Sequence, residues 1–371
     1  MRAAALIKTF SIVRPTRDTR MSHRIHLLAA AIFSVMALTA TSAHADGLTL
    51  KETGSTLVHP LVDTWVAAYT KTHPGVQITT AGTGSEVGIK QVIASAVQIG
   101  TSDAYMSDAQ IKQNPQIINV PLAIAAQTVN YNLPGLNATH LKLDGPTLAG
   151  IYGGAIGMWD APQIAALNPG ITLPHNAIVP IRRAEGSGDT FIFTQYLTFS
   201  TPTWESNTGY GTTINWPAVP SARTATGNAG MVQTIQSTPY SLGYVGVSFS
   251  DKIAGAGLGT ASLKNNDGAF VVPTKDTITA GAASLGPRTP ADERLSLVFA
   301  PGADSYPLVN YEYAIVSTKQ ASPVVAAAIR RFLLWTIVPS EDNEAYLDTV
   351  HFIPLPPHTW ELSQAQIQTI R

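Results

Sequence analysis

Three stretches of this sequence put Gly, Ser and Thr at the point where a strand-like run gives way to a helix-like one: residues 54–57, 82–85 and 186–190. A helix N-terminus presents unpaired N–H groups and a partial positive charge. Glycine lets the backbone approach a ligand, and a hydroxyl adds a donor, so each stretch has the chemistry of an anion cradle. The same residues are ordinary caps and turns, so one cradle alone says little about a ligand. The third stretch carries more information. Arg183 precedes it and supplies a permanent cation with a planar donor fork matched to phosphate, and Glu185 is placed to orient that fork.

Other chemistries lack their parts. Gly82, Gly84 and Gly88, with Asp103 further on, imitate a dinucleotide fingerprint, but the spacing is GxGxxxG rather than GxGxxG. Ser85 and Ser187 could be imagined as hydrolase nucleophiles, yet neither lies in GxSxG. His59, His73, His140, His175, His351 and His358 show no triad or ligand spacing. There is no HExxH and no EF-hand loop, so neither a metal nor a cofactor is expected. With no cysteine, disulfides and thiolate chemistry are excluded.

These residues need elements to position them, and the chain alternates strand-like and helix-like runs, the pattern of an α/β protein. Strands are expected at residues 48–51, 76–80, 99–102, 121–131, 178–181 and 311–316. Helices are expected from Leu57 to before Gly75, after Ser85, after Asp189, and over 323–338, with Pro60 tolerable only in a first turn. Residues 132–145 read as turn-rich and 254–290 as loop-heavy. A length of 371 residues favours two lobes. A composition of 45% hydrophobic and 13% charged residues suits a folded chain rather than disorder.

At the start, Arg24 precedes an apolar run at 27–38 and then Ala43-His44-Ala45, the layout of a signal peptide over residues 1–45, with Met21 as the expected true start. The run is shorter than a membrane span, and no cysteine follows it for lipidation. A soluble periplasmic protein is therefore expected. Residues 1–45 hold 6 of the 23 Lys and Arg and 1 of the 24 Asp and Glu, so the remainder holds 17 and 23, a net charge of −6. That balance disfavours nucleic-acid binding.

Taken together, Gly54-Ser55-Thr56-Leu57, Gly84-Ser85 with Lys90-Gln91, Gly100-Thr101-Ser102-Asp103 and Arg182-Arg183-Ala184-Glu185-Gly186-Ser187-Gly188 resemble the periplasmic phosphate-binding proteins of ABC import. Lesser echoes are Ile151-Tyr152, Trp204, Gly227-Asn228, Gly243-Tyr244-Val245 and Tyr306-Pro307. A branch of that family with a GSGDT stretch resembles this sequence closely. The resemblance implies an α/β, two-lobe periplasmic binding protein fold (type II) with two crossover strands and the ligand in the interlobe cleft. One lobe would comprise 46–122 plus 303–371 and the other 123–302. It further implies a monomer that binds inorganic phosphate, serves the membrane permease subunits of an ABC importer, and is not an enzyme. The implied phosphate site comprises Thr56, Leu57, Ser85, Asp103, Arg183, Ser187, Gly188 and Asp189, with Glu185 orienting the arginine.

Two positions depart from the commoner family pattern. Leu57 replaces an aromatic residue, harmless if only its N–H binds, and Asp189 replaces Thr. A buried carboxylate accepts a proton from P–OH and faces only lone pairs on sulfate. With Asp103 and Asp189 both as acceptors, a preference for monobasic phosphate is expected. A phosphatase, or a binder of another oxyanion or a phosphorylated small molecule, is the alternative.

Overall fold

The computed structural model describes residues 47–371; the expected signal peptide lies outside the described residues. The strands that build and flank the site are β1 (Leu48–Gly54), β2 (Val76–Thr79), β3 (Ile99–Ser102), β4 (Ile117–Asn132), β5 (Val179–Arg183), β6 (Arg223–Ala225), β7 (Ser241–Gly246), β8 (Gly259–Thr260) and β9 (Val309–Ser317). They form one nine-stranded sheet in the order β2-β1-β3-β9-β4-β7-β5-β6, with β8 pairing β4 beside that path. Ser262–Lys264 joins two further short strands in a separate three-stranded sheet.

The pairing explains the order of the sheet. β1 lies parallel to β2 over its first four residues and parallel to β3 over its last three. At the other end β5 lies parallel to β6 and β7. Between these parallel groups run β4 and β9, antiparallel to each other and to their outer neighbours. β4 changes partner along its length: residues up to Ala126, apart from Leu122 at a bulge, pair with β9, and from Gln127 onward they pair with β7. A strand buried on both faces reads as a near-continuous apolar run, which is how residues 117–132 read.

α1 (His59–Thr72), α2 (Ser85–Ile93), α3 (Gly188–Ser200) and α4 (Gly227–Gln236) return the chain between parallel strands, while α5 (Lys275–Leu285) precedes β9 and α6 (Pro323–Ile337) follows it. Pro60 sits in the first turn of α1, where a missing N–H costs no helix bond. Gly84 precedes α2 with φ +100, a conformation that favours glycine. Ser187 caps α3 by accepting from the Asp189 N–H. One expectation fails: the stretch 254–290 contains the eleven-residue helix α5, started by a Thr274/Thr277 capping box. Its inner face is Ile278, Gly281 and Ala282, side chains too small to print a strong helical period on the sequence.

Candidate functional site

The loops that leave β1, β3 and β5 and the first turns of α2 and α3 converge at one place, where ligands gather in open α/β sheets. Asp103, one residue beyond β3, is 1% exposed. The Ser55 hydroxyl donates to its carboxylate, and the Ser85 hydroxyl lies 3.3 Å from its second oxygen. Ser85 Oγ also accepts from the Asp103 N–H at 3.2 Å. Ser55 Oγ accepts in turn from the N–H groups of Leu57 (3.0 Å) and Val58 (3.2 Å), so one hydroxyl ties the start of α1 to the carboxylate. Burial pushes the Asp103 pKa up, the Asp189 charge pushes it further, and donors around it together with Arg183 act in the opposite sense.

Arg183 ends β5 and is itself buried. Its Nε donates to Glu185 Oε1 at 2.8 Å, and its two terminal nitrogens pair with Glu185 and with Asp189. Nη2 also reaches Thr56 Oγ1 at 3.2 Å. Burial alone would lower the arginine's pKa; Asp189 and Glu185 reverse that and hold it above its ordinary value. Asp189 is fully occupied: besides Arg183, it accepts from Asn228 Nδ2 at 2.8 Å and Gln127 Nε2 at 3.1 Å. Thr56 Oγ1 accepts from the Asn228 side chain (3.0 Å) and backbone (3.2 Å).

The two groups of residues stand close together. A methyl group added at Gly188 would collide with the Asp103 carboxylate and the Ser85 hydroxyl, so only glycine permits this approach of α3 to α2. At the rim the Glu86 N–H donates to Gly186 O at 3.3 Å, and Thr213 Oγ1 donates to Glu86 Oε2 at 2.7 Å.

All nine residues expected at the site fall in this neighbourhood or border it directly. Asp189 differs in role from the reading as a second free acceptor, because protein donors already take both of its oxygens. Four neighbours escaped sequence reasoning in their roles: Ser55, Gln127, Asn310 and Glu312. Asn310 Nδ2 donates to the backbone oxygen of Asp103. Glu312 lies fully buried on the same face of β9, two residues on. A polar residue inside an otherwise apolar strand is the signal that could have found Gln127, Asn310 and Glu312. The six histidines of the described residues make their polar contacts elsewhere, His59 with Asp63 and His175 with Asp160 among them. Among the described residues no group of three or more His, Asp or Glu is placed to hold a metal ion.

The PBP superfamily domain matches residues 39–340. The chain is 32% identical over 313 residues to a phosphate-binding protein PstS of Methanocaldococcus jannaschii, covering 80% of each chain. It is 30% identical to a phosphate-binding protein PstS of Pasteurella multocida, covering 92% of this chain and 95% of that one. In three dimensions it resembles the crystal structure of a phosphate-binding protein from Stenotrophomonas maltophilia, with a TM-score of 0.66 at 20% identity, over 85% of this chain and 93% of the other. That likeness shows the two-lobe, type II binding-protein fold. On these matches the chain belongs to the PstS phosphate-binding protein family of the PBP superfamily.

Proposed function

We propose that this protein binds one inorganic phosphate ion between two lobes and passes it to the membrane permease subunits of an ABC importer, working in the periplasm as a monomer that catalyses no reaction. The observation that carries this reading is the pairing of a buried, oriented Arg183 with a buried acceptor, Asp103, where three helix-start loops meet. Thr56, Ser85 and Ser187 supply hydroxyls there and Gly188 a backbone N–H group, while the Leu57 N–H is shared with Ser55 Oγ, 3.0 Å away. We assign residues 46–122 plus 303–371 to one lobe and 123–302 to the other. The membership of the chain in the PstS family supports the importer as partner.

Asp103 provides the discrimination. A P–OH group donates to it, whereas sulfate near neutral pH offers only lone pairs and leaves a buried carboxylate facing an anion. Asp189 serves differently, as the fixed counter-charge that aims Arg183. With one free acceptor, either protonation form of phosphate satisfies the site, because both carry a P–OH.

Calorimetry of the ligand-stripped protein against phosphate, arsenate and sulfate tests this. Phosphate is expected to bind at least about a hundredfold more tightly than sulfate, the scale set by an unpaired buried polar group. Sulfate binding of equal strength overturns the specificity argument, and sustained turnover of a chromogenic phosphoester overturns the non-enzymatic reading.

A further inference from the structure

Glu312 is a buried acidic group next to Asp103 that the proposed binding chemistry leaves unused. It sits in β9 with 0% exposure, and neither carboxyl oxygen has a donor near it. Its backbone position is unusual as well. Between Glu312 and Tyr313 the register with β4 shifts, leaving Leu122 as an extra residue opposite them, and the next residue of β4 to pair is Pro121. The extra residue belongs to β4, and bulges of this kind are frequent beside binding sites. Here Glu312 is brought against the Asp103 carboxyl group, while Asn310, on the same face, holds the Asp103 backbone oxygen.

Two carboxylates cannot hydrogen-bond each other, but a carboxylic acid can donate to a carboxylate. We propose that Glu312 is a protonated positioning residue, donating its O–H to Asp103 and thereby holding Asp103 as the ionised acceptor that selects the ligand. The location of the proton follows from the surroundings. Asp103 has Ser55 and Ser85 hydroxyls and the charge of Arg183 to favour its ionised form; Glu312 has no donor at all.

Charge points the same way. With Glu312 ionised, Asp103, Glu185, Asp189 and Glu312 would set four carboxylates against Arg183 alone around a site for an anion. Burial and then the negative charges of Asp103 and Asp189 push the Glu312 pKa well above the ordinary carboxyl range. Elsewhere around β9, Glu86 and Lys90 of α2 pair with each other at the rim, and Lys275 and Asp276 of α5 are exposed, so neither helix sends a compensating cation to Glu312.

The affinity part of the test rests on the phosphate reading, and the spectroscopic part does not. Infrared difference spectra of the purified protein against Glu312→Gln at about pH 7 should show a protonated-carboxyl C=O band that the variant lacks. Phosphate calorimetry should find Glu312→Gln, whose amide N–H still donates to Asp103, within about threefold of the parent. Glu312→Ala should bind roughly tenfold or more weakly, the scale of a lost bond to a charged group. The parent should lose affinity at alkaline pH more steeply than Glu312→Gln. Absence of the band, or a Glu312→Gln variant that is folded yet as weak as Glu312→Ala, overturns the proposal. A parent that shows the band but does not bind phosphate overturns the phosphate reading and leaves the protonation of Glu312 standing.

Discussion

In the proposed site Asp103 would carry the selectivity, because it is buried, has donors on either side, and among the described residues has no cation bonded to it directly. Replacing it with Asn keeps its size and turns an acceptor partly into a donor. Asp103→Asn is therefore expected to weaken phosphate by roughly tenfold to a hundredfold, the scale of a hydrogen bond to a charged group, and to narrow the gap to sulfate. Competition calorimetry reads both changes, and an unaltered phosphate-to-sulfate ratio would assign the discrimination elsewhere. At this scale the sequence was most legible where the residues sit in Gly-rich turns: Ser85, Arg183, Ser187 and Gly188 stand out by type and spacing. Gln127, Asn310 and Glu312 come from strands whose composition reads as core, so their polarity gained meaning only once the fold had brought them beside Asp103 and Asp189. The engagement of Asp189 by Asn228 and Gln127 was hidden for the same reason, since neither partner is near it in the chain.

Between elements, α2 is joined to the opposite side of the site at its first turn. The Glu86 carboxylate accepts from Thr213 at 2.7 Å and from Thr212 at 3.4 Å, while the Glu86 N–H donates to Gly186 O. Glu86→Ala removes the side-chain bonds and keeps the backbone one. Each such neutral-donor bond at a partly exposed rim contributes about 0.5–1.5 kcal/mol, so phosphate should dissociate several-fold faster with little change in association. Stopped-flow kinetics would show this, and an unchanged dissociation rate would mean that the rim bonds do not hold the two sides together. The elements themselves were well marked wherever a cap or a Gly or Pro boundary coincided with a change in apolar period, as in α1, α2 and α3. α5 escaped because alanine and glycine on its inner face carry little hydrophobic contrast.

For the molecule as a whole, several buried carboxyl groups share one direction of shift. Burial raises Glu52 to about 7 and Glu293 to about 8, against an ordinary 4.5, and raises Asp103 and Glu312 as well. A carboxyl with a raised folded-state pKa binds more protons folded than unfolded, so stability falls as pH rises from the unfolded value to the folded one. The ligand-free protein is expected to melt several degrees lower at about pH 8 than at about pH 5.5, with Glu293→Gln flattening part of that slope. Glu86 and Glu185 shift the other way. Lys90 lowers the first, and in the second burial pushes upward but is outweighed by Arg183. The stability those two contribute is present above the ordinary carboxyl range and fades only as pH falls below it. Thermal melts across pH, with phosphate removed, check the sign; a rising midpoint would contradict it.

β4 passes from one partner to the next between Ala126 and Gln127 without a gap in its backbone pairing. Were the sheet's two ends to rotate against each other, β4, paired with β9 on one stretch and β7 on the next, would be a strand along which that rotation is expressed as twist, a torsion bar rather than a hinge.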